Sequence, residues 1–294
     1  MTKSLKTLLF KLIALAIIAP HAMADFPPVA DPVVIVDKKT NTLHVANYND
    51  GKLDLVKDCR ATLGQKIGDK LMEGDLKTPE GIYDFLYLAK APQLKPIFGP
   101  LAIYVGYPNP MDKNGRKTGF DILVHGTDDP SRLERAFDSK GCVVLDNENV
   151  QSLANLIKLK NTKIIITKDF APLAKSPRLE KAKNFFNQWL TAWSNKDLST
   201  YIESYADEFR MDNMNRLAYS KYKQSLNEKY ETIHVEASNL KFFFHEKYDL
   251  ISFTQHYKST LKGGIPAYTG ESNKYLYIQE RNGHYRILLE ETKK

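Results

Sequence analysis

The sequence predicts a mainly β domain of sandwich or barrel type followed by a smaller α+β domain. Three observations carry this. Short apolar runs separated by turn residues fill the first half. A Pro-containing break, Ala171 to Pro177, follows them. Beyond it the periodicity changes from strand-like to helical. A length of 294 residues also suits two units. Hydrophobic residues at 43% and charged residues at 26% provide for packed cores and argue against global disorder.

The amino terminus stands apart. Lys3, Lys6 and Lys11 lead into the apolar run Leu12 to Ile18, and Ala22, Met23 and Ala24 offer the small-residue pattern of a secretory cleavage site. Residues 1–24 therefore read as a signal peptide, giving an exported, periplasmic chain from Asp25 with no membrane span in its mature part. Its removal takes away three lysines and no acid, lowering the formal charge from +7 to +4. So modest a charge does not argue for nucleic acid.

A Pro-rich lead-in covers 25–32. Strands are expected at 33–37, 42–48, 52–63, 81–88, 101–107, 121–126, 142–145 and 163–169, with turn signals between them. Asp129, Pro130 and Ser131 open a short helix through Phe137, and Asn147 or Asn149 caps another. In the second domain (178–294), Phe185, Trp189 and Trp193 recur along one face of a helix from Arg178 to Ser194. A second helix runs from Leu198 to Ala206. Strands follow at 232–245, 250–259, 273–279 and 285–290. The tryptophans at helical spacing are core residues before they are ligand contacts.

The chemistry-bearing pair is His125 and Cys142. His125 ends a short apolar run, and Cys142 stands 17 positions later, after Ser139, Lys140 and Gly141. An unassisted thiol is only a few per cent ionised at neutral pH, so a cysteine nucleophile needs a base or a positive field. His125 can be that base, with the Gly126 carbonyl holding its tautomer. The N–H groups of Gly141 and Cys142 are candidate oxyanion donors. A Cys59–Cys142 disulfide is the competing use of the sulfur in an exported protein. A nucleophilic Cys142 requires the free thiol, with Cys59 a small buried hydrophobe.

His125-Gly126-Thr127 followed by Ser139-Lys140-Gly141-Cys142 resembles the L,D-transpeptidase catalytic (YkuD-like) family. That family's signature is His-Gly and, further on, Ser/Thr-His-Gly-Cys. The segment 64–85, with Gly74, Asp75, Thr78, Pro79, Glu80, Gly81 and Tyr83, resembles a second family block, and 98–112, containing Tyr107, a third. Lys140 stands where the family usually has His, and Val144 where Arg is common. The resemblance implies a YkuD-like sandwich over 33–170, a linker at 171–177 and thioester chemistry on peptidoglycan stem peptides. Cys142 is then the nucleophile and His125 the general acid/base, while Ser139, Lys140, Thr127 and Tyr107 line the substrate cleft. The order of elements after the linker is similar to a nuclear transport factor 2-like module, which some cell-shape L,D-carboxypeptidases carry, with a glycan or protein ligand as its expected partner. The expectation is a carboxypeptidase trimming tetrapeptide stems to tripeptides. A crosslinking L,D-transpeptidase and a non-catalytic wall-binding module are the alternatives. No His-Glu-x-x-His, paired-cysteine or phosphate-cradling glycine motif occurs, and His245 and His256 fall too far apart along their hairpin to share an ion, so neither metal nor cofactor is expected.

Overall fold

The structure, a computed structural model, describes residues 26–171 and 178–293. The expected leader and all but the first residue of the expected linker lie outside them.

The first domain is built on an eight-stranded mixed sheet in the order β3-β2-β1-β10-β5-β6-β7-β9. Its strands are β1 (Pro32–Asp37), β2 (Thr42–Asn49), β3 (Lys52–Arg60), β5 (Gly81–Lys90), β6 (Leu101–Val105), β7 (Leu123–His125), β9 (Val143–Val144) and β10 (Lys163–Thr167). A separate parallel pair joins β4 (Leu63–Gly64) to β8 (Phe137–Ser139). A register shift between Phe85 and Leu88 marks where β5 passes from its partner β10 to its partner β6. The two halves enclose one core. A short helix, α1 (Pro110–Asn114), lies between β6 and β7. Val34 and Val36 from β1, Phe85 from β5, Ile103 from β6 and Val124 from β7 pack in this core with Val150 and Leu153 of α2 (Asn147–Leu156).

The central strands are buried on both faces. Val33 and Ile35 of β1, Ile82 of β5 and Ile165 of β10 turn away from that core and pack on Phe243, Tyr248, Leu250 and Tyr277 of the second domain. This explains why Val33 to Val36 and Ile164 to Ile166 read as unbroken apolar runs: neither face meets water.

The second domain packs α3 (Arg178–Ser194), α4 (Leu198–Glu203) and α5 (Arg216–Lys229) against a six-stranded sheet. The sheet order is β12-β11-β16-β15-β14-β13, with β11 (Tyr205–Met211), β12 (Met214–Asn215), β13 (Thr232–Phe243), β14 (Asp249–Leu261), β15 (Ile265–Arg281) and β16 (His284–Lys293). Trp189 is fully buried and donates its indole N–H to Tyr205 at 3.0 Å, while Trp193 is nearly as enclosed.

Several expectations are corrected. The helix read from Asp129 to Phe137 is only a 3-10 turn, Pro130–Glu134. Arg135 is extended there, and Phe137 leaves to pair with Leu63. Asp146, not Asn147 or Asn149, caps α2, accepting the Asn149 N–H at 2.8 Å. The helix read through Ala206 stops at Glu203, because Tyr205 enters a parallel pairing with Ile287. Helix α5, absent from the sequence reading, is capped by the Asn215 side chain.

Candidate active site

Strands β7 and β9 run side by side in parallel, with Val124 opposite Val143 and His125 opposite Val144. The Leu145 N–H donates to the His125 carbonyl at 2.9 Å, which fixes this register. Cys142 stands immediately before β9, two residues from the partner of His125. The intervening chain is used to return: the 3-10 turn and β8 bring the polypeptide back to the same edge.

His125 is almost fully buried, with Phe98 edge-on to its ring at 5.0 Å. Its Nδ1 lies 2.5 Å from the Gly126 carbonyl, so Nδ1–H is the donor and Nε2 is left for chemistry. Burial lowers its pKa to about 4; the Gly126 carbonyl opposes that shift and the Arg132 guanidinium adds to it. The imidazole is neutral at physiological pH.

Cys142 keeps some solvent contact, and its thiol points to the Asp121 carbonyl at 3.7 Å. Protein packed around the sulfur pushes its pKa up to about 11. The Leu123 N–H and the charges of Arg132 and Lys70 pull it back, and Asp121 pushes further up. Thiol and imidazole are both held in their neutral forms, and Arg132 acts electrostatically on both.

Both cysteines are free. Cys59 pairs with Leu43 in β2 and packs against the first core, where burial raises its thiol to about 12.

Of the expected site residues, Lys140 is exposed two positions before Cys142. The structure assigns others differently. Ser139 is buried and donates its hydroxyl to the Cys142 carbonyl at 2.6 Å while accepting the Gly141 N–H at 3.1 Å. Its hydroxyl therefore braces the 139–142 turn. The same bond occupies Gly141 N–H, which is thus not free for an oxyanion. Glycine at 141 is required for another reason: φ is +127°, and a Cβ would meet the Lys77 carbonyl at 2.8 Å. Thr127 is buried, its hydroxyl spent on the turn through the Asp129 backbone. Tyr107 is buried too and donates to the Thr118 carbonyl at 3.1 Å.

Two residues escaped the sequence reading. Asn147 brackets the peptide after the histidine, accepting the Thr127 N–H at 2.9 Å and donating to the Thr127 carbonyl at 3.0 Å. A Cβ on Gly126 would collide with the same amide oxygen. Arg132 is buried and holds Asp138 at 2.8 Å and the Ile97 carbonyl at 3.3 Å. An Asn at a helix start and an Arg in a 3-10 turn carry no local mark of these long-range roles.

His245 donates its Nε2–H to the Ile166 carbonyl, 3.0 Å away, whereas His256 sits opposite Glu236 on the strand pair and near Glu271. They do not converge. Among the described residues no group of three or more His, Cys, Asp or Glu is placed to hold a metal.

Comparison with known proteins defines the class. Residues 31–166 match the L,D-transpeptidase catalytic domain (YkuD), and 181–291 match the Cds6 C-terminal NTF2-like domain. The chain thus carries a catalytic domain of the YkuD-type L,D-transpeptidase family, followed by a C-terminal NTF2-like domain. That family comprises cysteine-dependent enzymes of peptidoglycan peptides.

Among solved structures, Bd1075 of Bdellovibrio bacteriovorus is 29% identical, with a TM-score of 0.75 over 89% of this chain and 91% of that one. The helical cell shape determining protein Pgp2 of Campylobacter jejuni is 28% identical, with a TM-score of 0.70 over 89% of this chain and 92% of its own. No curated protein sequence matches the chain. No helix among the described residues is long and apolar enough to cross a membrane.

Proposed function

We propose that this protein is a periplasmic L,D-carboxypeptidase that shortens peptidoglycan tetrapeptide stems to tripeptides and so influences cell shape. The observation that carries the reading is the parallel β7–β9 pairing, which sets His125 beside the Cys142 turn with Nδ1 engaged by the Gly126 carbonyl. It stands inside a domain of the L,D-transpeptidase family.

In the first half-reaction Nε2 of His125 takes the thiol proton as sulfur attacks the carbonyl of the L-centre of the third, diamino-acid residue. The Cys142 N–H serves the developing oxyanion, since the Gly141 N–H is engaged by Ser139. Collapse breaks the amide bond, His125 delivers its proton to the leaving D-alanine amine, and a thioester remains. Water, deprotonated by His125, then releases the tripeptide and the thiol. Arg132 and Lys70 stabilise the sulfur's negative charge as it forms. Exposed Lys140 meets the stem's carboxylates at the rim.

Similarity to a protein titled helical cell shape determining supports the cell-shape assignment. The apolar leader at 12–18 supports export. The second domain supplies a docking cavity of about 330 Å³ lined by Trp193, Tyr222, Tyr230, Tyr257 and Tyr268, walls suited to a glycan.

Incubating the chain from Asp25 with disaccharide tetrapeptide tests the proposal. Tripeptide plus free D-alanine is the expected product, and Cys142→Ala abolishes it. Crosslinked dimer would assign a transpeptidase, the activity for which the matched domain family is named. Binding without turnover would assign a wall-binding module.

A further inference from the structure

The turn between β13 and β14 plugs into the first domain with every side chain from His245 to Tyr248. His245 Nε2 reaches the Ile166 carbonyl at 3.0 Å. Glu246 accepts from the Thr167 hydroxyl at 2.6 Å and the Lys168 N–H at 2.8 Å. The Tyr248 hydroxyl, itself buried, accepts from the Ile82 N–H at 3.0 Å and the Asn109 side-chain amide at 2.6 Å. A Cβ on Gly81 would meet the Tyr83 hydroxyl at 2.7 Å and that of Tyr248 at 2.9 Å, so the glycine of the Thr-Pro-Glu-Gly block makes room for a tyrosine of each domain.

Lys247 is different in what it grips. Its ammonium ion-pairs with Asp69 at 2.6 Å and Glu80 at 2.9 Å. These carboxylates flank a stretch, residues 69–80, that contains no helix or strand. Asp69 also accepts the Glu80 N–H at 2.8 Å, so the two ends of the stretch are closed on each other beneath the lysine. Within it, Lys77 places its carbonyl directly behind Gly141, the residue before the nucleophile, and the Thr78 hydroxyl accepts the Gly64 N–H at 2.9 Å. The path from the second domain to the sulfur is short: Lys247, Glu80, three residues back to Lys77, then Gly141 and Cys142.

We propose that Lys247 is a positioning residue for Cys142, through which the second domain holds the 69–80 stretch as the rear wall of the nucleophile turn. This goes beyond the ligand-docking role given above to the second domain, and its catalytic consequence rests on the carboxypeptidase reading. The second domain is then a structural component of the catalytic centre as well as a means of attachment to the wall. The surrounding charges let the idea be tested without loss of the fold. Asp69 keeps Lys117 at 2.7 Å and Glu80 keeps Lys38 at 2.9 Å when Lys247 is removed, and the Glu246 and Tyr248 contacts remain.

The experiment compares the wild-type chain from Asp25 with Lys247→Ala, Lys247→Glu and Lys247→Arg, by amide hydrogen exchange, thermal unfolding and stem-peptide kinetics. The alanine variant is expected to exchange roughly tenfold faster at residues 69–80 and 139–142. The region around Trp189 is expected to be unchanged. kcat is expected to fall roughly tenfold with KM little altered. The glutamate variant, which sets three carboxylates together, is expected to be worse on each measure, and arginine to restore them. Unchanged exchange at 69–80 in both the alanine and glutamate variants overturns the proposal, as does an increase spread evenly over both domains. Should the wild type fail to release D-alanine, the carboxypeptidase reading falls while the exchange comparison still judges the tether.

Discussion

Asn147→Ala tests whether the amide clamp on Thr127 governs the histidine. The change removes two hydrogen bonds, of 2.9 and 3.0 Å, to the backbone of a buried residue. Each is worth about 1 kcal/mol net, and more where the abandoned group stays dry. Asn147 is half-buried, so water can reach part of the gap, and a loss of about 2 kcal/mol in stability is expected. The larger effect is on rate. The Gly126 carbonyl lies in the peptide that the clamp secures, and freeing it loosens the 2.5 Å bond to Nδ1. Misplacement of a catalytic group by about 1 Å costs on the order of 100-fold in turnover.

Asn147→Asp provides the companion measurement. It keeps an acceptor for the Thr127 N–H, loses the donor to the Thr127 carbonyl, and brings a negative charge near a ring whose pKa is about 4. The charge should raise that pKa and move the acid limb of the pH–rate profile upward. Urea unfolding with D-alanine release from pH 4 to 8 reads all of this. A wild-type urea midpoint and wild-type kcat in Asn147→Ala, or an acid limb unmoved in Asn147→Asp, would refute the reasoning.

Three further outcomes follow from the charges. Burial would raise the Asp75 pKa, but the N–H groups of Leu71, Met72 and Lys77 and the Lys70 ammonium bring it to about 2. A carboxylate held this low stabilises the fold above its unfolded pKa of about 3.9 and loses that contribution as pH falls toward 2. Asp75→Asn should therefore cost about 2 kcal/mol at pH 7, with the gap to wild type closing in acid-unfolding curves near pH 2; a constant gap contradicts this. Lys223 is fully enclosed; burial lowers its pKa to about 7 against the pull of Glu290, and its ammonium lies 3.8 Å from the Trp193 ring centre. The unfolded chain binds the extra proton between about 7 and 10.4, so stability from this group rises with pH across that window. Lys223→Met should flatten that slope and stabilise the protein at pH 7 by on the order of 1–3 kcal/mol, measured by urea unfolding; a destabilised variant would show that the aromatic box and Glu290 outweigh burial. Iodoacetamide at pH 8 should label Cys142 before Cys59, with a rate that climbs as pH approaches about 11, and equal labelling in the native protein would contradict an accessible nucleophile.

The parts of the fold legible in the sequence are those written in contiguous residues. Burial on both faces makes β1 apolar from Val33 to Val36 and β10 from Ile164 to Ile166, so they announce themselves. The Trp-bearing helix α3 does so by its spacing. Helix α5 hides because its inward face holds only Tyr219 and Lys223, a pattern too polar to read as amphipathic, although Asn215 supplied an ordinary cap signal. At the site, His125 and Cys142 were legible as a motif pair. Their neighbours were not, because hydroxyls at Ser139, Thr127 and Tyr107 look like ligand contacts until the backbone that consumes them is visible. The role of turn 245–248 is similarly non-local: in sequence it is a hairpin turn, and its partners lie in another domain.

The account depends above all on the Cys142 sulfur forming the acyl-enzyme. Intact-mass and peptide-mapping spectrometry of the chain, quenched in acid during turnover of disaccharide tetrapeptide, tests this directly. The expected result is an adduct on Cys142 equal to the substrate less D-alanine, absent from Cys142→Ala and removed by hydroxylamine. D-alanine released by Cys142→Ala, or the adduct on any other residue, would contradict it.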